Sequence, residues 1–245
     1  MPSVWTIGDI HGMDTMLTRL LHALPRADTD ITVFLGDYID RGADSRAVVR
    51  RVLQERDAAP DRTHLLWGNH EDMAAANFHL PYPSGIGYDP YDWFRNGGIA
   101  AMASWDAYPP DVFRADCPLE LLRLIRHLEP YYAGADSGIA GMEPYLFVHA
   151  GILPGQDPRT TDGETLLWVR EPFLESHDPS GRIVVHGHTP FAAVRVQPDK
   201  IGIDTRAVNG GQLTCLRLPE RVLYQVDHDG KVIVSDLPRF LDNAV

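Results

Sequence analysis

Hydrophobic and polar positions along this chain fall into two alternating textures. Residues 4–7 (VWTI), 31–35 (ITVFL) and 64–67 (HLLW) are short, mostly apolar runs, as expected of strands covered on both faces. Residues 15–23, 45–55 and 71–78 predict helices, with Ser45 as the N-cap of the second. Residues 119–128 predict a further amphipathic helix, and residues 145–148 and 183–185 two more buried strands. From 201 to 234 the predicted strands follow one another without helices and end in an antiparallel meander. Alternating strands and helices followed by a run of strands imply one α/β domain with mixed sheets, spanning residues 1–245. One stretch breaks the pattern. Residues 77–111, which include HLPYPSGIGYDPYDWFRNGG, are crowded with proline, glycine and aromatics and predict a cap or lid insertion.

Composition narrows the setting. The 245 residues are 44% hydrophobic and 23% charged, which suits a globular protein with a sizeable core. No apolar run approaches the roughly 20 residues of a membrane helix, and the N-terminus shows no signal-peptide pattern. With only two cysteines, Cys117 and Cys215, the expectation is a cytoplasmic protein without a disulfide framework. A formal net charge of -12 and the lack of a basic block argue against nucleic acid as a partner. Almost all the cations are arginines, the better side chain for forked contacts to phosphate. In so acidic a chain, phosphate binding needs local cations, and metal ions are one source.

The chemistry concentrates where the apolar runs stop. Residues 4–7 lead to GDIHG (8–12), and 31–35 to GDYIDRG (36–42). Residues 64–67 lead to GNHED (68–72), 145–148 to HAG (149–151), and 183–185 to HGHTP (186–190). Five strands each deliver Asp, Asn or His beside glycine at the carboxyl end, where α/β sheets build their sites. One polar turn is unremarkable in this respect; five of the same kind imply a shared site. Carboxylates, imidazoles and an amide without thiolates suit Mn, Fe, Zn, Co or Ni. There are enough ligands for two ions, with Asp37 as the natural bridge, and two ions about 4 Å apart can hold a hydroxide and clamp a phosphoryl group.

These blocks resemble the phosphoprotein phosphatase family of the calcineurin-like metallophosphoesterases, and in particular its bacterial serine/threonine protein phosphatases. The resemblance extends to LLWVREPF (166–173), IGIDTRAV (201–208) and, more loosely, WFRNGG (93–98). It implies a sandwich of two mixed β-sheets flanked by helices. It also implies two divalent ions, with manganese first in line. Asp9, His11 and Asp37 would hold one ion; Asp37, Asn69, His149 and His188 would hold the other. His70 would be the general acid, oriented by Asp40, and Arg41, Arg170 and Asn69 would bind the substrate phosphate. The implied reaction is attack by a metal-held hydroxide on a phosphorylated protein or a small phosphoester.

Two other functions fit the same blocks. Symmetrical diadenosine tetraphosphate hydrolases resemble this family closely, and Tyr82, Tyr88, Tyr91 and Trp93 could stack an adenine instead of forming the lid's own small core. A binding module on a dead scaffold is opposed by the intact ligand and acid positions. Among departures from the family pattern, Trp67 replaces an arginine and is expected in the core. His186 is expected to be buried or behind the ligands, and Arg206 stands where bacterial relatives have glycine. Glu71 and Asp72 are expected to open a helix, complementing its dipole.

Overall fold

The computed structural model describes residues 1–106 and 116–239; residues 107–111 of the expected lid lie outside the described residues. Twelve strands are present among the described residues. They are β1 (Val4–Ile7), β2 (Ile31–Phe34), β3 (Thr63–Leu66), β4 (Leu128–Glu129), β5 (Tyr131–Ala133) and β6 (Tyr145–Val148). The others are β7 (Ile183–His186), β8 (Arg195–Gln197), β9 (Lys200–Gly202), β10 (Leu213–Leu218), β11 (Val222–Val226) and β12 (Val232–Asp236). They form two mixed sheets, ordered β12-β11-β10-β1-β2-β3-β4 and β5-β6-β7-β9-β8. β1, β2 and β3 are parallel neighbours, with Ile7 opposite Phe34 and Phe34 opposite Leu65. β6 and β7 are parallel neighbours in the other sheet. Parallel pairing brings consecutive carboxyl ends to the same sheet edge, so the motif loops of each sheet emerge together.

Side-chain alternation assigns the layers. In β1, Trp5 and Ile7 join the core shared with the helices, whereas Val4 joins the core between the sheets. Val33, Leu35, Leu66, Leu216 and Leu218 fill that inter-sheet core from one side, and Tyr132, Phe147, Val185 and Ile201 from the other. The helices α1 (Asp14–Ala23), α2 (Ser45–Ala58) and α3 (Asn69–Asn77) cover the outer face of the larger sheet. Two short helices, α4 (Ile99–Ser104) and α5 (Leu119–Ile125), continue this layer. α6 (Gly163–Trp168) and α7 (Glu171–Leu174) pack on the smaller sheet through Leu166, Phe173 and Leu174. This is the expected two-sheet sandwich flanked by helices.

Three local expectations need correction. Ser45 is the first residue of α2 and caps nothing; its hydroxyl accepts the Asp40 amide at 3.0 Å, so it serves the motif loop. The helix predicted at 119–128 stops at Ile125, because Leu128 and Glu129 pair with β3 as a short edge strand. The lid aromatics divide. Trp93 is 2% exposed and packs on Phe78 and Phe94, Tyr82 and Tyr88 pack against the same core, and Tyr91 is 53% exposed. Phe147 is fully buried where the two sheets meet. Phe147→Ala is therefore expected to lower stability by about 3–5 kcal/mol, measured as a shift of the urea unfolding midpoint at unchanged slope.

Candidate metal centre and phosphate site

Every candidate site residue except Arg170, which lies between α6 and α7, stands just past a strand. Asp9 and His11 follow β1, and Asp37, Asp40 and Arg41 follow β2. Asn69 and His70 follow β3 as the first two residues of α3, His149 follows β6, and His188 follows β7. The loops are then locked together by backbone hydrogen bonds. The amides of Ile10 and His11 both donate to Asp37 O, at 3.0 and 2.8 Å, Gly12 N donates to Tyr38 O, and Gly187 N to His149 O. Tight turning is forced on non-glycine residues too: φ is 46° at His11, 52° at Asp37, 75° at Asp40, 65° at Arg41 and 61° at His188. Asp and His tolerate this left-handed region better than most residues, and its concentration here marks a constrained site. The neighbouring glycines make room: a Cβ on Gly187 would overlap Asp9 Oδ1, and one on Gly68 would overlap the amide and Oδ1 of Asp37.

At the centre lies Asp37, 2% exposed. Ligand atoms of Asp9, Asp37 and His149 lie within 4.8 Å of one another, as do those of His11, Asp37 and His70. Asp37 is common to both groups. His11 Nε2 faces Asp37 Oδ2 at 3.3 Å and His149 Nε2 faces Oδ1 at 3.4 Å. The Nδ1 atoms of His11 and His149 donate to Ile39 O and Leu35 O, both at 2.8 Å, so in the neutral rings each Nε2 carries a lone pair. Asn69 Oδ1 is 3.0 Å from His149 Nε2 and 2.9 Å from His188 Nδ1. Buried lone pairs that converge in this way repel one another unless cations stand among them. The donor set of carboxylate, imidazole and amide oxygen therefore fits divalent metal ions.

The electrostatics agree. Burial pushes the Asp9 carboxyl well up, with Asp204 and Asp37 adding to the effect. Burial would also raise Asp37, but His149, His70 and His11 outweigh it and hold its carboxyl well below the usual range. Burial lowers His149 and His188, leaving both neutral near pH 7 with lone pairs free for a cation.

Beside this cluster stands a second group. His70 Nδ1 is 2.6 Å from Asp40 Oδ2, and Trp93 Nε1 donates to both Asp40 oxygens at 3.0 and 2.9 Å. Burial pushes the Asp40 carboxyl up and the His70 imidazole down. Arg41 donates from Nη1 to His11 Nε2 at 2.8 Å and from Nη2 to His70 Nε2 at 2.9 Å. Arg170 is exposed, and its charge acts on both His70 and His188. The structure thus brings all the candidate residues to one place.

Sequence reasoning missed three contributors. Glu71 is fully buried and does more than face a helix dipole: its carboxylate accepts the amides of Asp37, Tyr38 and Ile39 at 2.9, 2.9 and 3.2 Å. Trp93 orients Asp40, and its segment abuts the site directly, since a Cβ on Gly97 would lie 2.6 Å from Arg41 N. Asp204 is 7% exposed and acts on Asp9. Their signals in the sequence were the acid after GNH, the WFRNGG stretch and the acid in IDTR. Trp67 joins the core. His186 is fully buried between Phe173 and Phe191, turned into the core. Arg206 is exposed at φ 63°, a conformation that explains why glycine suits the position.

A family model, the calcineurin-like phosphoesterases, matches residues 2–209, and the chain belongs to this family. It is a metallophosphoesterase, a phosphoester hydrolase of a superfamily that uses a dinuclear metal centre. Serine/threonine-protein phosphatase 2 of Salmonella typhimurium is 34% identical over 224 residues, covering 88% of this chain and 92% of that one. The symmetrical bis(5'-nucleosyl)-tetraphosphatase of Bordetella parapertussis is 27% identical over 274 residues, covering 91% and 95%. A solved cold-active protein-tyrosine phosphatase from a psychrophilic Shewanella shares the fold, with a TM-score of 0.62 at 19% identity over 96% of this chain and 80% of that one. No helix among the described residues is long and apolar enough to cross a membrane.

Glu71 offers a test of how the centre is held. Glu71→Ala strands three buried amides, at roughly 1–3 kcal/mol each, and frees Asp37 from its fixed turn. The expected outcome is a marked loss of stability in urea together with weaker divalent-metal binding by calorimetry, with Glu71→Gln intermediate in both.

Proposed function

We propose that this chain is a cytoplasmic, metal-dependent phosphomonoesterase that removes phosphate from phosphoserine and phosphothreonine in proteins. The observation that carries the reading is the pair of guanidinium groups, Arg41 and Arg170, beside His70 and the metal-ligand cluster. Two forked cations suit one phosphate dianion. The alignments lend support: about 50 positions of the Bordetella tetraphosphatase alignment lack a counterpart here, against fewer than about 10 for the Salmonella phosphatase.

Asp9, His11 and Asp37 would hold one ion, and Asp37, Asn69, His149 and His188 the second. Manganese comes first, and Fe, Zn, Co or Ni also suit these donors. When bound, the ions supply Lewis acidity, bringing the pKa of water to about 7 and neutralising phosphoryl charge. Arg41 and Arg170, with the Asn69 amide, bind and orient the phosphate. Arg41 now spends its donors on His11 and His70, and a phosphate would take them over. Asp40 keeps the His70 ring oriented through Nδ1, so Nε2 faces the leaving oxygen. Burial and Arg41 depress His70; a phosphate dianion beside it pulls the other way, favouring the protonated ring that donates to the leaving group.

The similarity to the Bordetella tetraphosphatase, which extends over nearly all of both chains, favours a second reading as a symmetrical dinucleoside tetraphosphate hydrolase. Side-by-side assays of the metal-reconstituted protein on phosphopeptides, aryl phosphates, nucleotides and diadenosine tetraphosphate distinguish the two. The first reading expects kcat/KM on a phosphothreonine peptide to exceed that on the dinucleotide by about tenfold or more; the reverse order would establish the second. His70→Asn separately tests the acid. Its loss should fall hardest on phosphopeptides, with their poor leaving group, and more lightly on an activated aryl phosphate, and equal losses would make His70 a phosphate-positioning residue instead.

A further inference from the structure

Asp72 opens a line of contacts that the proposed chemistry does not use. It sits in the first turn of α3, one residue past Glu71, and is fully buried. Its carboxylate gathers the loop at 84–88. Ser84 donates from N to Oδ1 at 3.1 Å and from Oγ to Oδ2 at 2.6 Å, and the Tyr88 hydroxyl donates to Oδ2. The Tyr88 oxygen in turn accepts Trp168 Nε1–H at 3.0 Å. Trp168 ends α6, and its ring meets His188 edge-on at a centroid distance of 6.0 Å. The same loop also grips the start of α6: a Cβ on Gly163 would overlap the Pro83 carbonyl and lie 2.9 Å from Ser84 N. The loop therefore holds α6 at both ends.

Two residues beyond Trp168 comes Arg170. Its guanidinium is exposed and makes no hydrogen bond or ion pair among the described residues. Such a side chain is aimed by the backbone that carries it, and this backbone is the joint between the end of α6 and the start of α7, where the Phe173 and Leu174 amides donate to Arg170 O. We infer that Asp72, Tyr88 and Trp168 form a positioning relay, through which the loop at 84–88 sets the placement of Arg170 over the site and so the affinity for the phosphate group. The inference rests on Arg170 being a phosphate donor. Tyr88 and Trp168 act through Arg170 and the edge of His188, with no part in bond making.

Inorganic phosphate as a competitive inhibitor reads this relay directly. The inhibition constant, kcat, KM and metal content would be measured on an aryl phosphate for the wild type, Tyr88→Phe, Arg170→Ala and the double variant. Tyr88→Phe keeps the ring and removes the hydroxyl that joins Asp72 to Trp168. It is expected to raise KM and the phosphate inhibition constant by about three- to tenfold, with kcat changed less than either and metal content unchanged. In the Arg170→Ala background the same substitution should change neither constant, because the group it positions is gone. An effect of equal size in both backgrounds, or kcat and stability falling together with KM unmoved, would overturn the relay. Should Arg170→Ala itself leave phosphate inhibition unaltered, the phosphate-donor reading falls, and the relay with it.

Discussion

Two carboxylates share one buried turn, and the rest of the structure answers to that constraint. Asp37 lies at the centre of the cluster, and Glu71 sits behind it, accepting the amides of Asp37, Tyr38 and Ile39. Three buried amides fix this carboxyl in place, while burial and the nearby Asp37 and Asp40 push its pKa well up. It fixes the left-handed turn at Asp37 and points that side chain into a space where His11, His149 and Asp9 converge. Without that anchor the turn would have no partner for its amides, and the lone pairs around Asp37 would lose their common focus.

The sandwich explains how so many polar groups can be buried together. Two sheets, each with parallel neighbours at its centre, bring their carboxyl edges to one place, and strands covered on both faces give those edges little freedom. The candidate ligands therefore stand on a rigid frame, as a site that must hold its geometry requires. The proposed phosphate-binding groups are placed differently. Arg41 belongs to the locked turn and is pressed by the backbone at Gly97. Arg170 lies on the far side, on a short helix pair steadied by the loop at 84–88. The centre is thus rigid by construction, and its outer wall is held by side-chain hydrogen bonds that substitution can tune.

The strand ends were legible in the sequence because they are local. Apolar runs that stop at glycine and a ligand-type side chain announce themselves within a dozen residues, and the helix after GNH began within two residues of its expected start. What depended on partners distant in the chain was not legible. Ser45 reads as a helix cap until Asp40 is seen to claim its hydroxyl. Glu71 and Asp72 read as acids at a helix start, yet one holds the turn at 37–39 and the other the loop at 84–88. Trp93 reads as a lid aromatic, and the structure turns it inward to Asp40. The 119–128 helix fails for a related reason: Leu128 gains more by pairing with β3 than by a last helical turn.

The central claim is that the converging side chains around Asp37 form a centre for two divalent ions on which phosphoester hydrolysis depends. Titration of the metal-stripped protein with Mn²⁺ by calorimetry, with aryl phosphate hydrolysis followed on the same samples, tests it most directly. The account requires two equivalents per chain, with hydrolysis absent at the start and complete as the second is bound. Full hydrolysis by the stripped protein, or saturation with fewer than two bound ions per chain, would contradict it.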